Sequence, residues 1–249
     1  MKPATTLRPE RERCADCLIR HRAVCSHCGP AELEFLDAIK SYRTFKPGEE
    51  ITAMGQETDF LGSVVNGVVS LSRILADGRR QMVGLLFPSD FIGRPMRAQA
   101  PFDAIAVTDV KLCIFSRPRF EALLRDTPSL ESRLLEMTLD ELDAARDWMV
   151  LLGRKTAREK MASFFLLVAR RLAAVARAEL RDGVELELPL TREDMADFLG
   201  LTIETVSRQI SALRKAGAIE LTDARHMRIP DIAALAEIAG DDDDGGMID

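Results

Sequence analysis

The sequence predicts an α+β fold in three successive parts: an antiparallel barrel or jelly roll, one long helix, and a compact, mainly helical C-terminal unit. Three observations predict it. Between residues 42 and 115, short runs such as "LGSVV", "VVSLSRIL", "QMVGLLF" and "AIAVTDVKLCIF" are separated by the turn signals "KPGEE", "NG", "ADGRR" and "PSD". Runs of that length, rich in Val, Ile and Leu, are strands of an antiparallel barrel or jelly roll. From 129 to 152 apolar residues recur at helical spacing, and from 190 to 221 two amphipathic segments flank a glycine.

The chain begins its patterned part with "CADCLIRHRAVCSHC", residues 14–28, which holds four of the five cysteines. "PAELEFLDAIKSY" then places Leu33, Leu36, Ile39 and Tyr42 at helical spacing. Within the roll, "RILADGRRQMV" reads as a hairpin turning at Asp77–Gly78, a dipeptide that accepts positive φ cheaply. On the long helix Leu135, Thr138, Leu142, Ala145, Met149 and Leu152 follow at spacings of 3, 4, 3, 4 and 3. That heptad seam serves either one helix packed on its own domain or a parallel two-helix dimer, weakened by the small Ala145 and polar Thr138. The next helix carries Met161, Phe164, Phe165, Val168, Leu172 and Val175 as a core face.

"LTREDMADFLGLTIETVSRQISALRKAGAIEL" (190–221) is the most informative stretch. Thr191 is a good N-cap with Asp194 three residues on, and Met195, Phe198 and Leu199 form a buried face. Gly200 supplies the turn and Thr202 caps a second helix, which buries Ile203, Val206, Ile210 and Leu213 and ends at Gly217. Glu204, Ser207, Arg208 and Ser211 share the outer face, and "AIELTDARHMRI" reads as a two-strand wing. This is a winged helix-turn-helix, whose second helix enters the major groove of double-stranded DNA. Arg208 can donate twice to guanine, Glu204 can accept from cytosine, and Ser207 can reach a base or a phosphate. Thr191, Thr202, Arg192 and Arg214 are candidate phosphate contacts.

The totals exclude little else. The net charge of −6 argues at first against nucleic acid, but residues 154–230 carry 14 Lys/Arg against 11 Asp/Glu, and "GDDDDGGMID" concentrates acid at the end. The stretch "MASFFLLVA" is too short to span a bilayer and the N-terminus has no apolar core of a signal. No membrane partner and a cytoplasmic location are expected. Reduced thiols then favour metal over disulfides. His21, His27 and His226 are scattered and no catalytic motif is present, so no enzyme is expected.

With these parts in order, the sequence resembles the CRP/FNR superfamily of bacterial transcription regulators. The E-x-x-S-R signature of FNR-type recognition helices falls on Glu204, Ser207 and Arg208, "PSDFIGR" is similar to the family's hinge segment, and "LGRKTAREKMASFF" to the start of its DNA-binding domain. The resemblance implies a sensory β-roll, a dimerisation helix, and a homodimer reading a palindrome with TTGAT-like half-sites. It makes Leu135, Leu142, Ala145, Met149 and Leu152 dimer contacts, and implies contact with RNA polymerase, with the hairpin "ADGRRQ" as a candidate.

Cyclic-nucleotide members carry Arg followed by Ser or Thr where this chain has Asp103–Ala104, so no cAMP site is expected. FNR-type oxygen sensors hold a [4Fe–4S] cluster on three N-terminal cysteines and one from the β-roll. Here Cys14, Cys17, Cys25 and Cys113 are the expected ligands, with Cys28 as alternative to Cys25. The spacing departs from the commoner C-x2-C-x5-C, since seven residues separate Cys17 from Cys25. Zinc on the two C-x2-C knuckles, or a thiol-redox sensor, is the alternative. The expected divisions are 1–29 cysteine segment, 30–127 β-roll, 128–153 dimerisation helix, 154–234 DNA-binding domain and 235–249 acidic, disordered tail.

Overall fold

The structure is a computed structural model and describes residues 13–240. A short 3-10 turn, Cys14–Asp16, and helix α1, Pro30–Ile39, precede eight strands. These are β1 Lys40–Phe45, β2 Glu50–Thr52, β3 Phe60–Asn66, β4 Val69–Ile74, β5 Arg80–Leu86, β6 Phe91–Ile92, β7 Asp103–Ala106 and β8 Val110–Ser116. They form two antiparallel sheets, ordered β1-β8-β3-β6 and β2-β7-β4-β5. The predicted hairpin is β4–β5, with Gly78 at φ +87° in its turn.

Strand alternation decides what each face of the first sheet meets. Val110, Leu112 and Ile114 of β8, with Phe60 and Val64 of β3, face the interior between the sheets, against Val69, Leu86, Ala104 and Ala106. Cys113 and Phe115, with Leu61, face the other way, against α1, the cysteine segment and helix α2, Arg117–Asp126. Gly62 lies opposite Ile114, and a Cβ there would collide with the Cys113 carbonyl. β3 and β8 approach closely because Gly62 has no side chain.

The helix predicted through Tyr42 ends at Ile39. Lys40 opens β1, whose six residues pair with β8 and set Tyr42 opposite Cys113. A full ladder of strand pairs outweighs one more helical turn.

Helix α3, Pro128–Arg154, has 27 residues and so runs about 40 Å. The C-terminal unit contains α4 Ala157–Ala176, β9 Val184–Glu187, α5 Arg192–Leu199, α6 Ile203–Lys215, β10 Glu220–Leu221, β11 His226–Ile229 and α7 Ile232–Ala239. Its three-stranded sheet is ordered β10-β11-β9, so the wing gains a third strand. Helix α4 is buried all round from Lys160 to Ala169 rather than along one stripe, and Leu172 is exposed. The expected tail from 235 is corrected in part. Leu235 and Ala239, one turn apart on α7, are fully buried in the same core as α4. Residues 241–249 lie outside the described residues.

One apolar core joins the parts. Trp148 stacks on Phe198 at 4.1 Å, and Val68, Met82 and Phe87 of the β-roll lie in the cluster built by α4, α5 and α6. Among the described residues, no helix is long and apolar enough to cross a membrane.

Candidate DNA-reading face and cysteine cavity

The two helices of the C-terminal motif are set by local chemistry. Thr191 and Asp194 make a reciprocal capping box at the start of α5, the hydroxyl accepting from the Asp194 N–H at 3.1 Å and donating to Asp194 Oδ2 at 2.7 Å. Gly200 ends α5 at φ +62°, in the left-handed conformation a side chain would disfavour. Lys160 of α4 donates to the Leu199 carbonyl at 3.2 Å, satisfying a helix end that would otherwise be buried bare. Thr202 caps α6, which buries Val206, Ile210 and Leu213.

The outer face of α6 carries Glu204, Arg208 and Ser211 exposed and Ser207 half-buried. Arg208 Nη2 donates to Thr205 Oγ1 at 3.2 Å, and Arg192 of α5 donates to Ser207 Oγ at 3.2 Å. Ser211 donates to the Ser207 carbonyl at 2.9 Å. The backbone at the helix start and the Thr202 hydroxyl hold the Glu204 carboxyl below its usual range, keeping it an acceptor. Thr191 and Thr202 spend their hydroxyls on caps, so a phosphate there would compete with the helix start. Ile203 was expected inward but is 45% exposed, because it is the first helical residue and lies ahead of the packed turn.

On α3, Leu135, Leu142 and Met149 are exposed, as is Ala145, and they are joined by Leu139 and Val150, which the heptad reading missed. Leu152 departs from that face. It is half-buried and packs on the C-terminal core, because the last turn of α3 is anchored there by Trp148 and Leu151.

The cysteines come together from two distant stretches. Cys14, Cys17, Cys25 and Cys113 line one cavity with Ile19, Ala23, Val24, Lys40, Tyr42, Ser63 and Phe115. Cys28 is buried but does not line it. None of the five is disulfide-bonded. Burial pushes the Cys14 thiol up to about 12 and those of Cys25 and Cys28 up to about 11, and raises Cys113 as well. Among the described residues, no three His, Cys, Asp or Glu side chains converge as a single metal ion requires. The donor set fits an iron–sulfur cluster: four thiols in a wall that is apolar apart from Lys40, Tyr42 and one buried hydroxyl, Ser63 Oγ, which has no partner among the described residues. The open space is about 20 Å³, close to that of one water.

That segment touches every part of the protein. The Cys14 N–H donates to Asp37 at 2.9 Å, Ser89 to the Ile19 carbonyl at 3.3 Å, and Arg133 of α3 to the Arg22 carbonyl at 2.7 Å. His21 Nε2 lies 3.3 Å from the Ala174 carbonyl of α4. Beside it, Arg171 of α4 pairs with Asp90 at 3.3 Å. A second bridge runs from the β4–β5 hairpin to α5: Arg80 pairs with Asp194 at 2.7 Å and Asp197 at 2.8 Å, and Gln81 donates to the Asp197 carbonyl at 2.8 Å. The hairpin proposed to meet RNA polymerase is therefore partly engaged within the chain, leaving Asp77, Gly78 and Arg79 exposed. Nothing in the sequence pattern marked Arg80, Lys40 or Ser63, although Ser63 is a polar residue in a strand whose neighbours are all apolar or Gly.

Asp103 Oδ1 accepts from the Met54 N–H at 2.7 Å, and Ala104 is buried.

A β-roll joined by one long helix to a winged helix-turn-helix, with a polar reading face on its second helix, defines a DNA-binding transcription regulator. The comparisons agree: residues 159–238 match the Crp-like helix-turn-helix domain and residues 42–127 the cyclic nucleotide-binding domain. The chain belongs to the CRP/FNR family. It is 55% identical over 235 residues to the transcriptional activator protein FnrL of Cereibacter sphaeroides, covering 94% of this chain and 95% of that one. It is 40% identical over 222 residues to the nitrogen fixation regulation protein FixK of Bradyrhizobium diazoefficiens, covering 89% and 92%. The structure of FixK2 from Bradyrhizobium japonicum superposes with a TM-score of 0.72 at 31% identity, over 80% of this chain and 97% of that one.

Proposed function

We propose that the protein is an oxygen-responsive transcription regulator of the FNR type. It holds a [4Fe–4S] cluster on Cys14, Cys17, Cys25 and Cys113, binds a palindrome of TTGAT-like half-sites as a homodimer, and contacts RNA polymerase. One observation carries this reading: three thiols near the start of the chain and one from β8 line a single cavity that Cys28 does not reach. The similarity to a protein named FnrL supports it.

Cys14, Cys17, Cys25 and Cys113 would hold such a cluster, which would tie the cysteine segment to β8 and supply an oxygen-sensitive redox centre. The chain's own residues do the rest. The segment between Cys14 and Cys28 leans on α3 through Arg133 and on α4 through His21. Its seating therefore bears on both the helix with the apolar face and the helix under the DNA-binding motif. Leu135, Leu139, Leu142 and Met149 supply the seam on which two copies pair, setting two α6 helices about 34 Å apart. Glu204, Ser207 and Arg208 then read each half-site.

A zinc ion has less support, because among the described residues no three His, Cys, Asp or Glu side chains converge on one point. A cyclic nucleotide would meet the Asp103 carboxylate where it needs a cation.

The test is iron and acid-labile sulfide analysis after anaerobic purification, on the wild type and on single Cys→Ala variants. The expected result is about four of each per chain, retained in Cys28→Ala and lost in Cys25→Ala and Cys113→Ala, with visible colour and DNA affinity falling together in air. A colourless protein whose DNA binding is indifferent to air overturns the reading.

A further inference from the structure

Two polar groups in the thiol cavity have no part in ligation. Ser63 is 3% exposed, sits opposite Cys113 in the β3–β8 register, and lines the cavity with a hydroxyl that has no partner among the described residues. Buried hydroxyls left unpaired are costly, so one lining a cavity marks a place where an acceptor is expected. The second group is Lys40, whose side chain is 3% exposed, with Nζ 3.5 Å from Cys14 Sγ and 2.6 Å from Asp37. Asp37 also accepts from the Cys14 N–H, so one carboxylate fixes both the ammonium and the ligand's backbone.

We propose that Ser63 and Lys40 are the donors that tune the cluster. Ser63 hydrogen-bonds a cluster or Cys113 sulfur from the strand side, and Lys40 offsets the cluster's negative charge from the Cys14 side. The proposal rests on the cluster reading and adds two residues to it. Hydrogen bonds to the sulfurs and nearby charge are what set the potential and lability of such centres. The cavity wall is otherwise apolar apart from the ligands and Tyr42, so these two side chains have an influence that exposed groups lack.

The proposal separates the loaded from the empty protein. In the empty protein, Ser63→Ala removes an unpaired buried hydroxyl and leaves thermal stability equal or higher. In the loaded protein the same change removes a charge-assisted hydrogen bond.

The experiment uses the full chain, anaerobically reconstituted, with iron and sulfide measured first. The readouts are the rate of iron release to a chelator without oxygen, the midpoint potential, and the shift of the Fe–S stretching bands in D2O. Expected are release about tenfold faster in Ser63→Ala, a lowered potential, loss of part of the D2O shift, and recovery of all three in Ser63→Thr. Lys40→Met is expected to lower the potential and Lys40→Arg to restore it. The double variant Asp37→Asn/Lys40→Met repeats the test without a stranded carboxylate, since Asn still accepts from Cys14. A wild type without iron and sulfide sinks both the cluster reading and this proposal. A wild type with a full cluster, and Ser63→Ala indistinguishable from it on all three readouts, sinks the proposal alone.

Discussion

Arg80→Ala probes the bridge between the β4–β5 hairpin and the first helix of the DNA-binding motif. Arg80 makes two charge-assisted bonds, to Asp194 at 2.7 Å and to Asp197 at 2.8 Å, and all three side chains are 21–29% exposed. An exposed ion pair contributes about 0–1 kcal/mol and a hydrogen bond to a charged group about 1.5–3 kcal/mol. Partial burial puts each of these near 1–1.5 kcal/mol, so the substitution is expected to cost about 2–3 kcal/mol. For a chain of this length that lowers the melting temperature by roughly 5–10 °C. A cycle with Asp197→Ala isolates one of the two bonds, with an expected coupling of about 1 kcal/mol. Asp194 is left intact because it caps α5. The assay is urea unfolding followed by circular dichroism and by Trp148 fluorescence, since Trp148 stacks on Phe198 of α5. An unchanged midpoint, or a coupling indistinguishable from zero, refutes the bridge as an energetic link between the two units.

Two further substitutions test the other surfaces. Arg208→Ala should cost about 1–3 kcal/mol per half-site and relax preference at one base pair, measured on a panel of single-base variants; uniform weakening across the panel would show that it only holds phosphate. Leu142→Glu should leave the fold unchanged, because Leu142 is 45% exposed, while shifting sedimentation from dimer to monomer and lowering affinity for palindromic DNA; a dimer of unaltered strength excludes this face of α3 from the interface.

Much of this was legible in the sequence where one residue type has one physical use. Thr191, Asp194, Gly200 and Thr202 punctuate the helix-turn-helix as their chemistry requires, and the structure has both caps and the left-handed turn. The alternation of "VKLCIF" sets Cys113 on the face opposite Leu112 and Ile114, which is why a lone strand cysteine reaches the N-terminal segment. What periodicity could not carry was competition between elements. Tyr42 continues the α1 pattern but is taken by pairing with β8. Leu152 continues the heptad but is claimed by the C-terminal core, while Leu139 and Val150, outside the heptad, stay exposed. The apolar run 232–239 is masked in composition by the acidic run that follows it. Arg80 and Lys40 look like ordinary surface cations, and only the fold brings Asp194, Asp197 and Asp37 beside them.

The two oxygens of Asp194 have separate duties: Oδ2 serves Thr191 at the start of α5, and Oδ1 serves Arg80 across the domain boundary. Letting go of the hairpin hands only Oδ1 back to solvent. The first turn of α5 therefore stays tied when that contact is lost, because the oxygen that closes it is not the one that crosses to the roll.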